Sequence, residues 1–319
     1  MPANGAMQAR PPGWPRPRRC WARAMTDAPL FPPSPGPRVF GLAPGIDFPA
    51  ALLAGLRERL GTADPAAMAR VEIIVNTHRM ARRLRQLAPD AGLTILPRIH
   101  VLTDLPDTRP IPDLPAVLPP LERRLELARL VAALIEQEPD LAARASVYSL
   151  ADSLAGLIDE CHDEGVPLEA VAAVDVAGHS AHWARARRFL EIALSFAAAE
   201  RDRHDPAQRL ATWVSARIAA WEAAPPAHPV LVAGSTGSRG TTARLMAAVA
   251  RLPQGALVLP GFDFAMPGPV WDRLEDHDGA EDHPQDKLAR LLRRLGIAPD
   301  AVLPWTGEDA PSPGRNALV

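Results

Sequence analysis

Lysine is almost missing from this 319-residue chain: of 35 basic residues, 34 are arginine and Lys287 is the one lysine. That excludes Schiff-base chemistry and the phosphate-binding lysine of a P-loop anywhere else in the sequence. Cysteine is nearly as rare. Cys20 and Cys161 cannot make a four-cysteine zinc or iron–sulfur site, and one possible pair is no disulfide framework. No run of 18 apolar residues is present, so a membrane-spanning helix is not expected. The arginine-rich start lacks the apolar stretch of a secretory signal, and a cytoplasmic protein is the default expectation.

Charge is unevenly placed. Residues 1–24 carry five arginines and no acid, so the overall −2 leaves −7 for residues 25–319. A uniformly basic nucleic-acid coat is excluded, and any polynucleotide contact has to be local. Ten prolines fall within residues 1–37, which read as an unstructured leader; Met25 offers an alternative start.

From Arg38 the pattern becomes α/β. Arg38–Leu42 reads as a strand, and Asp47 as the N-cap of a helix to Leu60 with Pro49 in its first turn. Val71–Val75 is a second strand, and Thr77 opens a helix to Leu87. Leu93–Leu96 and Ile99–Leu102 are further strand candidates. Short, fully apolar strands alternating with helices predict a parallel sheet covered by helices.

Six prolines in residues 106–120 mark a boundary before about a hundred residues of helical pattern. Leu127, Leu130, Val131, Leu134 and Ile135 form one stripe. Ser149-x-x-Asp152 resembles a capping box ahead of Leu150, Leu154, Leu157, Ile158 and Cys161, with Gly165 as the stop. Trp183, Ala186, Leu190, Ala193, Leu194 and Ala197 form a third stripe, and Asp205-Pro206 starts a last helix ended by Pro225-Pro226. The α/β rhythm then resumes with strands at Pro229–Ala233 and Ala256–Leu259 flanking a helix at Thr241–Leu252. Beyond Asp263 the chain reads as irregular, apart from a helix at Lys287–Leu295. The organisation expected is therefore a leader (1–37), an α/β core (38–113), a helical insert (114–226) and a resumed core (227–319).

Two loops sit where α/β sheets take ligands. In Gly41-Leu-Ala-Pro-Gly45 the glycines are four apart, and Ile46-Asp47 stands where Lys-Ser/Thr would follow, so phosphate would meet an acid. The second loop, Gly234–Gly240, surrounds Arg239 with Ser235, Thr236 and Ser238. It reads either as a tight strand-to-helix turn or as a phosphate or backbone cradle, with Asp263 near a ribose-binding position. The helix after Val75 adds Thr77 and His78 at its start and Arg79, Arg83 and Gln86 on one face, a pattern suited to phosphate. His179-x-x-His182 lacks a third ligand, and Asp276–His283 reads as a hydrated loop. No catalytic set emerges.

The segments Val39–Phe48 (VFGLAPGIDF), Ile74–Leu84 (IVNTHRMARRL), Leu96–Ile99 (LPRI), Val232–Gly240 (VAGSTGSRG) and Leu257–Phe264 (LVLPGFDF) together carry a resemblance. They resemble the AddB family, of the alphaproteobacterial type: B subunits of bacterial AddAB helicase–nucleases that repair DNA double-strand breaks. The resemblance implies a P-loop NTPase-like, superfamily-1 helicase-like parallel sheet with a large all-helical insertion, matching residues 38–319. It also implies single-stranded DNA as ligand, contacted by Thr77, His78, Arg79 and Arg83. An AddA helicase/nuclease subunit would be the partner in a heterodimer, acting in end resection for homologous recombination. ATP would be used on that partner. Mg2+ and an iron–sulfur cluster belong to the family's nuclease domain, whose cysteines and acids this sequence lacks, so an amino-terminal, non-catalytic fragment is expected. The rival expectation is a nucleotide-dependent enzyme using Gly234–Gly240.

Overall fold

The computed structural model describes residues 29–61, 66–173, 188–196, 202–276 and 282–312. Six strands form the central sheet: β1 (Val39–Gly41), β2 (Glu72–Val75), β3 (Arg98–Val101), β6 (Val230–Ala233), β7 (Gly255–Leu259) and β8 (Leu303–Pro304). They lie in the order β3-β2-β6-β7-β1-β8, and every pairing is parallel. The strands β1, β2, β6 and β7 are buried along their whole length, which is why their sequences are nearly unbroken apolar runs.

Alternate residues of these strands serve opposite faces. Phe40, Ile73, Val75, Leu231, Ala233 and Val258 pack under α1 (Phe48–Leu60) and α3 (His78–Leu87), through Leu52, Leu53, Leu56, Ala81 and Leu84. Val39, Ile74, Val230, Val232, Leu257 and Leu259 face α9 (Pro206–Ala223), α10 (Gly240–Arg251), α11 (Gly268–Asp276) and α12 (Asp286–Leu295). The result is an α/β/α sandwich.

The short helices α2 (Ala67–Arg70) and α4 (Leu105–Thr108) bracket the first strands. Between the two parts of the core lie α5 (Pro120–Gln137), α6 (Val147–Glu164), α7 (Leu168–Ala172) and the helical residues 188–196, α8. These share a separate apolar core that includes Leu127, Val131, Ile135, Leu154, Ile158, Cys161 and Phe196. A two-residue parallel pairing, β4 (Ala116–Val117) with β5 (Arg203–His204), clasps the entry and exit of this block. The following helix, α9, returns to the sheet and buries Leu210, Trp213 and Val214 there.

Local signals set several of these elements. Asp47 accepts from the Ala50 amide at 3.4 Å to cap α1, and Asp205 accepts from the Gln208 amide at 2.8 Å to cap α9, each with proline in the first turn. Other expectations fail. Leu93–Leu96 is loop, with Ile95 and Leu96 exposed; the edge strand starts at Arg98, where pairing with Glu72 begins. Ser149 and Asp152 make no capping box. The helix begins at Val147 after a 3-10 turn, Ser149 donates to the Ser146 carbonyl, and Asp152 pairs with Arg124. The stretch read as irregular after Asp263 contains α11 and the edge strand β8, anchored by buried Trp305 donating to the Leu52 carbonyl at 3.1 Å. Residues 1–28 of the leader, His179 and His182, Trp183 and Ala186, and residues 277–281 and 313–319 lie outside the described residues.

Candidate nucleic-acid interface

Val75 of β2 pairs with Ala233 of β6, so the turns that follow leave the sheet side by side at its carboxyl edge. The chain after β2 then enters α3 on one face, while the chain after β6 enters α10 on the other. This divergence opens the kind of crevice where open parallel sheets take ligands. Strand pairing thereby brings together the two residue groups singled out from the sequence, Thr77–Arg83 and Ser235–Arg239.

On the α3 side, Thr77 caps the helix by accepting from the Met80 amide at 3.1 Å. His78 is exposed and lies 3.5 Å from Asp104. Arg79, Arg82 and Arg83 are exposed, and α3 contains no acidic residue. Arg83 lies 3.6 Å from Asp47, both side chains about half exposed, while Arg79 makes no ion pair among the described residues. Arg85 is used differently: it donates to the Ile99 carbonyl at 3.0 Å and ties the helix to β3. The face through Arg79, Arg83 and Gln86 is thus a cationic, solvent-facing ridge that starts at a helix N-terminus.

The β6 side is more enclosed. Ser235 is buried and accepts from the Gly237 amide at 3.2 Å, Thr236 is half-buried, and Ser238 is exposed. Gly237 has φ +64°, a left-handed backbone conformation that favours glycine. The exposed Arg239 guanidinium pairs with Asp163 at 3.2 Å. The Gly240 amide, first in α10, donates to the Glu164 carboxylate at 2.9 Å, and Thr241 donates to the Asp163 carbonyl at 3.0 Å. A carboxylate of the helical block therefore sits where an anion at this helix start would sit. Burial raises the Asp163 pKa above its ordinary value, with Arg239 opposing.

Sequence reasoning missed this contact. One local sign exists: Asp163 and Glu164 stand in the last turn of α6, where a negative charge opposes the helix dipole, so their favourable partner has to come from elsewhere. A 940 Å3 groove runs from this contact along α6, lined by Asp152, Asp159, Glu160, Asp163 and Glu164 against Arg123, Arg124 and Arg239. Its excess of acid repels a polynucleotide and leaves the α3 ridge as the cationic part of the edge.

The loop after β1 and the turn after β7 enclose a second crevice of 520 Å3, bounded by Gly41–Pro44, Asp263–Ala265, Pro304 and residues 306–310. No basic side chain lines it, and three acids do: Asp263, Glu308 and Asp309. The Asp263 carboxylate accepts from the Ala265 amide at 2.9 Å. Such a donor set does not fit a nucleoside triphosphate with its metal, which needs cations and phosphate-facing amides. An iron–sulfur cluster fits no better, because Cys161 is buried in the helical block and the sequence holds one other cysteine. Among the described residues, no group of three or more His, Cys, Asp or Glu could hold a metal ion. No helix among them is long and apolar enough to cross a membrane.

Comparison with known protein families and with curated proteins finds no match to this chain. The fold and the edge together define a class: an open, parallel α/β sheet with a helical block inserted before its fourth sheet strand in chain order.

Proposed function

We propose that this chain is the helicase-like amino-terminal region of an AddB-type subunit, with the P-loop NTPase-like topology of superfamily-1 motors but without nucleotide turnover. In this reading it binds single-stranded DNA and scaffolds the complex with an AddA-type helicase–nuclease partner in the cytoplasm, for resection of broken DNA ends. One observation carries the reading. The carboxyl edge of the sheet offers a cationic, solvent-exposed helix face at α3, while both nucleotide-like loops are filled or lined by carboxylates.

The residues then have simple tasks. Arg79 and Arg83 neutralise neighbouring phosphates, the Thr77–His78 turn presents the helix start to the backbone, and no base edge needs to be read, so binding tolerates any sequence. Glu164 on the Gly240 amide and Asp163 on Arg239 weigh against the nucleotide-dependent enzyme. Ser235, Thr236, Ser238 and Arg239 would contact a backbone only at the rim of the crevice.

The test is fluorescence anisotropy with a labelled single-stranded oligonucleotide. The Arg79→Ala, Arg83→Ala double variant is expected to bind about ten-fold or more weakly at low salt, because two charge-assisted bonds to phosphate are removed. Equal affinity of the double variant and the parent protein, both folded by circular dichroism, overturns the proposal.

A further inference from the structure

A third cavity, of 320 Å3, lies at the opposite, amino edge of the sheet. Its back wall is Glu72, the first residue of β2, with Arg109 after α4 and His228 just before β6. Its roof is α9, which presents Trp213, Arg217, Ala220 and Trp221 at helical spacing on one face, and the residue that ends the helix, Ala224. The two alanines leave the space between the larger side chains.

The charges in this cavity do not balance. The Glu72 carboxylate is buried, 3.0 Å from Arg109, 3.1 Å from His228 and 3.9 Å from His100. It is therefore satisfied without Arg217. Arg109 is fixed as well, since Trp213 donates its indole N–H to the Arg109 carbonyl at 2.8 Å. The Arg217 guanidinium lies over the Trp213 ring, 4.9 Å from its centroid, and makes no ion pair among the described residues. Among the cavity's acids and arginines, one carboxylate faces two guanidiniums, and the second of these, Arg217, stands against a tryptophan wall. Burial and then the Arg109 charge lower the Arg217 pKa, with Glu72 opposing, so this cation is held at a cost that an anion would relieve.

We propose that this cavity is a binding site for a small, flat apolar molecule bearing one phosphate or carboxylate group. The anion is held by Arg217 beside Arg109 and His228, and the apolar body lies against Trp221 and Pro226. Tryptophan faces, proline and alanine suit a planar body, and a half-buried guanidinium next to a second one suits a planar or tetrahedral anion. The site is independent of the α3 ridge and of the DNA reading.

The test uses the full chain and its intrinsic tryptophan fluorescence, titrated with phenyl phosphate and with benzoate. Saturable quenching by either probe is expected with a dissociation constant on the order of 1 mM or tighter. Preference between the probes assigns the anion as phosphate or carboxylate. Inorganic phosphate and phenol, the separate halves, are expected to bind about ten-fold more weakly than the better probe. Arg217→Gln is expected to lower affinity about ten-fold, and Arg83→Ala to leave it unchanged. Trp221→Leu, which removes the apolar contact from a partly exposed position, is expected to weaken binding even if Arg217→Gln compromises folding. Absence of saturable binding by both probes, unchanged affinity in folded Arg217→Gln or Trp221→Leu protein, or loss of binding in Arg83→Ala overturns the proposal.

Discussion

Arg123 is the buried joint of the helical block, and replacing it with alanine tests how that block is held to the sheet. Its side chain is 6% exposed and joins its own helix, α5, to two others. It donates to Asp159 at 2.7 Å and to the Ala155 carbonyl at 3.1 Å on α6, and lies 3.5 Å from the Asp205 carboxylate that caps α9. Asp205 is 4% exposed, so removing Arg123 leaves a buried carboxylate with His162 and the Gln208 amide as its remaining polar contacts. Breaking one side of a buried pair costs about 3–5 kcal/mol. At roughly 2–4 °C per kcal/mol for a domain of this size, the melting temperature should fall by about 6–20 °C. Adding Asp205→Asn should recover part of the loss, because the stranded charge disappears. Arg124→Ala, which breaks an exposed pair with Asp152, should leave the transition where it is. Thermal unfolding followed by circular dichroism reads all four proteins. An Arg123→Ala protein no less stable than Arg124→Ala would refute the reasoning.

Gly240→Ala would place a Cβ 2.7 Å from the Asp163 carbonyl oxygen and 2.9 Å from the Glu164 Cα, so the α6–α10 contact must open. Denaturant unfolding should show a loss of about 1–3 kcal/mol, whereas Gly156→Ala, with open space in α6, should be neutral or gain about 0.5–1 kcal/mol. Acid should destabilise the protein through Glu72 and Asp205. Burial works against ionisation of both, but Arg109, His228 and His100 outweigh it at Glu72, and His162 and Arg123 at Asp205, so both carboxyls lie below their ordinary range. Their contribution is complete above the unfolded carboxylate value of about 4 and is lost as the pH falls through the lower folded values. Urea midpoints measured across that range should fall on acidification, with a shallower limb in Glu72→Gln; identical limbs would contradict this.

Much of the scaffold is legible in short-range chemistry. Asp47-x-Pro49, Thr77 and Asp205-Pro206 mark helix starts because a cap is decided by the side chain and the amides next to it. The buried strands show as apolar runs because both of their faces are covered. What stays hidden depends on pairing at a distance. Leu93–Leu96 has strand composition but no strand to join, whereas Arg98–Val101 meets β2 in register. β4, β5 and β8 are two residues each, too short for any period to appear. The candidate edge was half visible: its arginines are read directly, but their placement beside Gly234–Gly240 follows from β2–β6 pairing across more than 150 residues. The carboxylate on the Gly240 amide comes from 76 residues away, and only its unfavourable place at a helix end hinted at it.

The central claim is that the α3 ridge neutralises the phosphates of a single strand, and the salt dependence of binding tests it most directly. Each phosphate neutralised on single-stranded DNA contributes about 0.7 to the slope of log affinity against log salt. The account predicts that Arg79→Ala with Arg83→Ala lowers the magnitude of that slope by about 1.4, because two phosphates are then left to their counterions. Slopes that coincide for the parent and the double variant would contradict it.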